Sequence, residues 1–353
     1  MINRNNIIKI GNKFIGPNQP VFIIAEAGVN HNGNFKIAKK LINEAARAGV
    51  DAIKFQTFNP DTLVTKIASK AQYQSKKAPK ENQYEMLWGL ILPREWHKKL
   101  KNYAEKRGLI FLSTPFSVDD ANFLIKIGMP AIKVSSSDTN NIPYLQHISK
   151  KKIPIILSTG MSDIDEIKES IKTMQRSGAK NIIVLHCTTN YPTPFEEANL
   201  KAIQTLQQDL GLISGFSDHT LGIEAPIAAV AFGAKIIEKH FTLDKTMIGP
   251  DHQASLEPTE LKEMVRSIRN IERSIGSGIK KPFQSELAIA SSARKSVVAA
   301  RFIPAGKKIV ADDLTLKRPG TGLRPKYYFE IIGALAKNNI KTDDLIKKSD
   351  YKK

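Results

Sequence analysis

The sequence predicts a closed (β/α)8 barrel with a short hairpin before it and a small β-rich domain after it. Three observations carry this expectation. Short apolar runs alternate with helical patterns throughout residues 21–275. Each run is apolar along its length, as suits parallel strands covered on both faces. Eight such units fit in this stretch, the usual size of a closed barrel of this kind. A doubly wound open sheet is the alternative, and eight regular units weigh against it.

The elements follow in order. IIKIGNKFIG (7–16) reads as a β-hairpin turning at Gly11-Asn12 within an N-terminal segment, 1–20. The strands are VFIIAEAG (21–28), DAIKFQ (51–56), LIFLST (109–114), AIKVSS (131–136), PIILSTG (154–160), NIIVLHC (181–187), LISGFSD (212–218) and AKIIEKHF (235–242). Between them, residues 35–48 place Phe35, Ala38, Leu41, Ile42 and Ala45 at helical spacing, and 163–177 and 258–275 read the same way. The connection 57–92 is unusually long, a feature that often goes with function. Residues 276–289 carry Gly, Ser and Pro and read as a linker, and 290–353 as a compact β-rich domain that docks on something.

Composition narrows the classes. The chain has 353 residues, 41% hydrophobic and 25% charged, which excludes a disordered or collagen-like protein. No apolar run approaches the roughly 18 residues of a membrane-spanning helix. Arg4, Lys9 and Lys13 interrupt the N-terminal apolar residues, so no signal-peptide core is expected and the protein is read as cytoplasmic. Cys187 is the only cysteine, which leaves no intrachain disulfide and no cysteine-rich metal cage. The net charge of +19 comes from lysines spread along the whole chain. Without a basic block it reads as solvated surface rather than a nucleic-acid interface, and it suits an anionic small substrate.

In such a barrel the site lies at the C-terminal ends of the strands. Those ends carry Glu26; Lys54 and Gln56; Ser113 and Thr114; Lys133, Ser135 and Ser136; Ser158 and Thr159; His186; Ser217, Asp218 and His219; Glu238, Lys239 and His240. One polar strand end is an ordinary turn residue. A full ring of them reads as a ligand-binding mouth, because burying such groups unpaired is costly. Lys54 and Lys133, with Ser136, Ser158 and Ser217, suit phosphate and carboxylate. His219 and His240 end consecutive strands. Either alone is an ordinary hydrogen-bonded side chain; facing one another they suit a divalent transition metal with open positions. Glu26 is a structural carboxylate by itself, and a candidate acid/base beside a metal and an electrophile.

AEAGVNHNG (25–33), IKFQTF (53–58), FLSTPF (111–116), IKVSSSDTNNIPYL (132–145), LSTGM (157–161), LHCTTNYPTP (185–194), GFSDHTLGIE (215–224), EKHFTLDKTMIGPDHQASLEP (238–258) and KRPGTG (317–322) run through nearly the whole chain in order. On these motifs the sequence resembles the sialic acid synthase family. The resemblance implies a TIM barrel followed by an antifreeze-like (SAF) domain. It implies an enzyme that joins phosphoenolpyruvate to an open-chain N-acetylhexosamine and releases phosphate. Residue by residue, it implies that His219 and His240 hold a divalent metal ion, manganese first. Lys54, Lys133, Ser136, Ser158 and Ser217 bind phosphoenolpyruvate, Glu26 is the acid/base, and Asp138, Tyr191, Asp251 and Arg318 bind the sugar. It also implies a domain-swapped homodimer in which Arg318 serves the partner's barrel. N-acetylmannosamine is the acceptor of the family's N-acetylneuraminate synthases. The patterns around QYEM (83–86) and TLDKTMIGPDHQASLEP are similar to the legionaminic acid synthase branch, whose acceptor is 2,4-diacetamido-2,4,6-trideoxymannose. Ser135 and Ser137 flank Ser136 where the family commonly has smaller residues, and Asn82 falls nearest to the family's sugar-binding loop asparagine. A metal-dependent aldolase, a synthase using a phosphorylated sugar, which would need one more anion site, and a nucleic-acid-binding protein are the rival readings.

Overall fold

The computed structural model describes residues 7–70 and 82–353. The chain divides between Ile275 and Gly276 into two compact units.

The first unit opens with the hairpin, β1 (Ile8–Ile10) and β2 (Lys13–Ile15), with Ile10 opposite Lys13. The turn is therefore Gly11-Asn12, and Gly11 takes a φ of 58° that glycine adopts without steric cost. Ile8, Ile10 and Ile15 are buried in one core with Phe22, Ala52 and Ile110, so the hairpin packs against the barrel instead of projecting from it.

The barrel strands are β3 (Phe22–Gly28), β4 (Ala52–Thr57), β5 (Ile110–Pro115), β6 (Ile132–Val134), β7 (Ile155–Ser158), β8 (Ile182–Cys187), β9 (Ile213–Asp218) and β10 (Ile236–His240). They form one eight-stranded sheet in the order β5-β4-β3-β10-β9-β8-β7-β6, parallel in every pairing. Its outermost strands β5 and β6 also lie against each other, completing the ring. The expected strands fall on these eight, three of them ending early: β6 stops at Val134 because Ser136–Asp138 turn into a 3-10 helix, β7 stops at Ser158, and β10 stops at His240.

The helices between the strands start and stop on local signals. In α1 (Phe35–Ala48), Asn34 caps the first turn by accepting from Lys36 N and Ile37 N, and Gly49 ends it in the left-handed region at φ 81°. Its buried stripe Ala38, Leu41, Ile42 and Ala45 joins Leu261, Met264 and Ile268 of the last barrel helix, Pro258–Ser274, in a second core cluster. The described residues of the long connection 57–92 include two short helices, Pro60–Leu63 and Gln83–Trp88. Their apolar residues pack with Val29, Phe58 and Phe116 as a small separate cluster.

The second unit corrects one expectation. Residues 276–283 carry no helix or strand, but Gln284–Ala293, whose first six residues fall in the expected linker, is a helix with no buried residue. Its residues are mostly good helix formers, and Glu286 closes the first turn by accepting from Phe283 N at 2.7 Å. Beyond it, Ser296–Ala299 pairs antiparallel with Leu314–Lys317, and Leu335–Ala336 with Tyr351–Lys352. Val297, Ile303, Ile309, Leu314, Ile331 and Ile346 give this unit a core of its own.

Candidate active site

The strand ends enclose a cavity of about 410 Å³, within the range of small-molecule sites. Side chains alternate across a strand, so of each strand end only one face reaches this cavity. Glu26, Lys54, Gln56, Thr114, Lys133, Ser136, Ser158, Ser217, His219, Glu238 and His240 line it.

The same alternation removes five residues from the expected ring. Ser113 bonds the Thr57 hydroxyl at 2.6 Å. Thr159 donates to the Leu185 carbonyl, and His186 stacks on Phe216 with Nε2 against the Ala198 carbonyl. Asp218 and Lys239, both fully buried, pair at 2.5 Å, and Lys239 also donates to the Thr220 carbonyl. That ion pair joins β9 to β10 immediately beside His219 and His240.

The floor of the cavity is a buried charge network. Lys54 Nζ lies 2.8 Å from Glu26 Oε2 and 2.9 Å from Thr114 Oγ1, which accepts its hydrogen bond. Glu238 Oε1 stands 3.6 Å from Lys54 and 3.4 Å from Lys133 and accepts from Ser217 Oγ at 3.2 Å. Lys133 donates to Ser158 Oγ at 2.6 Å. Two ammonium groups thus face two carboxylates, and charges taken out of water need such pairing. Burial pushes the Glu26 carboxyl up to about 7 against the pull of Lys54. Burial acts on Glu238 in the same direction, but Lys133 and Lys54 overcome it and hold that carboxyl below its usual range. Burial lowers the Lys133 ammonium. Gly160, which follows β7, donates from its N–H to Ser136 Oγ at 3.1 Å; a Cβ there would stand 2.1 Å from Thr189 Oγ1, which explains the glycine of LSTGM.

The histidines face one another with ring centroids 5.5 Å apart. His219 Nδ1 bonds the Thr188 carbonyl at 2.7 Å, which turns Nε2 away from the backbone; burial acts to lower this imidazole, but Cys187 and the Thr188 carbonyl overcome it and hold it above its usual range. His240 Nδ1 is buried with no hydrogen-bond partner, and Asp251 Oδ2 stands 3.7 Å from it. Burial, then the neighbouring His219, keeps His240 well below the usual imidazole range, so it is neutral. A neutral buried imidazole with an orphaned nitrogen, facing a second imidazole, fits a divalent transition metal. Among the described residues no group of three or more His, Cys, Asp or Glu side chains is arranged to hold one; the histidines are a pair of ligands, not a full cage. Tyr191 stacks on His219 at 4.0 Å and meets His240 edge-on at 5.5 Å.

Of the residues expected to bind sugar, Tyr191 and Asp251 line the cavity. Asp138 is outside that lining; its carboxylate accepts from Asn141 at 2.9 Å. Asn82 is spent on helix capping: its Oδ1 accepts from Glu85 N at 2.9 Å, and the neighbouring Gln83 lines the cavity instead. Arg318 belongs to the second unit, where it is exposed at the end of the strand Leu314–Lys317. Glu238 stands in the expected ring of strand ends, but the sequence assigns it no role of its own. Its place two residues before His240, on the same face of one strand, was the signal that could have found it.

A parallel barrel with paired lysines, carboxylates and hydroxyls on its floor, and two facing histidines at its mouth, defines an enzyme built to hold an anionic substrate beside an electrophile. The chain belongs to the NeuB family, which it matches over residues 41–280, and residues 294–352 match the SAF domain. It is 48% identical to the N,N'-diacetyllegionaminic acid synthase of Campylobacter jejuni, covering 92% of this chain and 98% of that one. It is 46% identical to the enzyme of the same name from Legionella pneumophila, over 92% and 93%. The crystal structure of the N-acetylneuraminic acid synthetase of Leptospira borgpetersenii superposes with a TM-score of 0.71 at 36% identity, covering 80% of this chain and 95% of that one. The protein is therefore a nonulosonic acid synthase, a phosphoenolpyruvate-dependent enzyme that forms a carbon–carbon bond.

Proposed function

We propose that the enzyme condenses phosphoenolpyruvate with open-chain 2,4-diacetamido-2,4,6-trideoxymannose to give N,N'-diacetyllegionaminic acid and phosphate. The observation that carries the reaction is the buried floor: two ammonium groups and three hydroxyls converge there on one small space. The choice of acceptor is supported by 46–48% identity to two synthases of that name. N-acetylmannosamine is the second reading, favoured by the likeness to the N-acetylneuraminic acid synthetase.

Lys54, Lys133, Ser136, Ser158 and Ser217 hold the carboxylate and phosphate of phosphoenolpyruvate. Tyr191 and Asp251 hold the acceptor beside the histidines. The enol methylene carbon then attacks the aldehyde carbon, and the carbonyl oxygen becomes an alkoxide that takes a proton. Water adds to the cationic C2, and the tetrahedral intermediate loses phosphate by C–O cleavage. Glu26, ion-paired to Lys54 at the floor, is placed to hand over or take up a proton in these steps. His219 and His240 would hold a divalent ion, manganese first, which when bound supplies Lewis-acid polarisation of a carbonyl.

The test is phosphate release from phosphoenolpyruvate and Mn²⁺ with each acceptor, before and after chelation. We expect release only with an acceptor present, fastest with the diacetamido sugar, lost on chelation and restored by Mn²⁺. Faster turnover of N-acetylmannosamine would establish the second reading. Full activity after exhaustive chelation would remove the metal from the account.

A further inference from the structure

The cavity has two unlike sides. Over β6 to β10 its lining is polar: serines, Thr189, Tyr191, the histidines and Asp251. Over β3 to β5, beyond the polar strand ends Glu26, Lys54, Gln56 and Thr114 and beside Gln83, it is apolar, built from Phe58, Leu63, Val64, Met86, Leu90 and Phe116. These six residues pack together as one cluster, separate from the barrel core. Phe58 and Leu90 are buried and the rest half-buried, so the wall has a packed base and a face turned to the cavity. Among the described residues, Lys54 and Lys133 are the only lysines or arginines in the lining, and both are at the floor.

We propose that this apolar wall reads the far end of the acceptor and selects a terminal methyl over a hydroxymethyl or a phosphorylated one. The inference rests on the proposed reaction and adds the residues that choose between acceptors. Phosphoenolpyruvate takes the cations and hydroxyls of the floor. The acceptor's aldehyde has to lie beside the histidines, where Tyr191 and Asp251 meet its near substituents. Its remaining carbons run across the cavity to the side that is left, and that side is apolar. A methyl placed there gains burial. A hydroxyl there gives up its hydrogen bonds to water and meets, among the described residues of that wall, only the Gln83 carboxamide, and a phosphate finds no cation among them.

An apolar pocket rejects an added hydroxyl by at most about 10²-fold. The expected preference is therefore about 10- to 100-fold in kcat/KM for 2,4-diacetamido-2,4,6-trideoxymannose over the same sugar bearing a 6-hydroxyl, with no measurable turnover of the 6-phosphate. Met86→Gln and Leu63→Ser each place a polar group on the half-buried part of the wall. Each should lower that ratio about fivefold or more while leaving KM for phosphoenolpyruvate unchanged. Thermal denaturation of both variants confirms that they are folded, and the wild-type ratio tests the wall without either. A wild-type ratio within about threefold of unity, or folded variants that keep the wild-type ratio, would overturn the proposal while the proposed reaction stands. Absence of phosphate release with all three acceptors would overturn the reaction and the wall together.

Discussion

Glu26 and Lys133 share the floor of the cavity, and the proposed reaction gives them different work. Glu26 is ion-paired to Lys54 and buried. Glu26→Gln keeps the shape and removes the proton, so kcat should fall by about 10²- to 10⁴-fold with phosphoenolpyruvate affinity largely kept. Steady-state kinetics with direct binding measurements separates the two, and an unchanged kcat would make Glu26 structural. Lys133 touches Ser158 and Glu238 but neither histidine. Lys133→Ala should therefore raise KM for phosphoenolpyruvate at least tenfold more than KM for the acceptor. Equal effects on both would mean that Lys133 shapes the whole mouth. The identities of these residues were legible in the sequence because strand ends of a barrel face the site. Their partners were not: nothing in the order of residues says that Glu238 lies between two lysines contributed by other strands.

Among the secondary-structure elements, alternation decides which polar strand ends act and which only hold the frame. Lys239 stands between Glu238 and His240 on one strand yet points the other way, into its ion pair with Asp218. The same pairing of charge with local frame occurs in the second unit. Asp313 is buried and takes hydrogen bonds from Arg301, Lys307 and Val310 N at 2.6, 2.7 and 3.0 Å. Burial opposes its ionisation, but these bonds overcome it and hold the carboxyl down at about 2. A carboxyl depressed on folding adds stability above its unfolded pKa, near 4, and loses it as pH falls from 4 towards 2. Asp313→Asn should therefore destabilise this unit by about 1–2 kcal/mol at pH 7. Hydrogen exchange of residues 296–317 in the full chain should be faster than wild type at pH 7, with the difference shrinking near pH 3. An equal difference at both would assign the loss to shape rather than charge.

On the scale of the whole molecule, the chain carries a second compact unit with a core of its own. The family resemblance implies that Arg318 works on the barrel of a partner chain, and we carry this as a proposal. A chain ending at Gly278 keeps the entire first unit and should stay folded while losing most turnover. Mixing Arg318→Ala chains with Glu26→Gln chains gives the sharper result. If Arg318 acts in trans, a mixed dimer holds one barrel with both defects and one with neither, so activity partly returns. No recovery in dimers verified as mixed would place Arg318 within its own chain or outside the reaction.

The sequence by itself determined the barrel, because eight apolar runs separated by capped amphipathic helices leave few ways to bury their surface. It determined the hairpin through Gly11, whose conformation the turn requires, and the chemistry of the floor through the residue types at the strand ends. Residues 284–293 were read partly as linker because the Gly, Ser and Pro nearby masked a short helical run. Tertiary structure alone decided the rest. Which polar residues face inward depends on the register of each strand in the closed sheet. The Glu238 network and the His219–His240 pair depend on bringing together residues from different strands. The apolar wall depends on how Phe58, Leu63, Val64, Met86 and Leu90 come together with Phe116 of another loop, and no local periodicity encodes that packing.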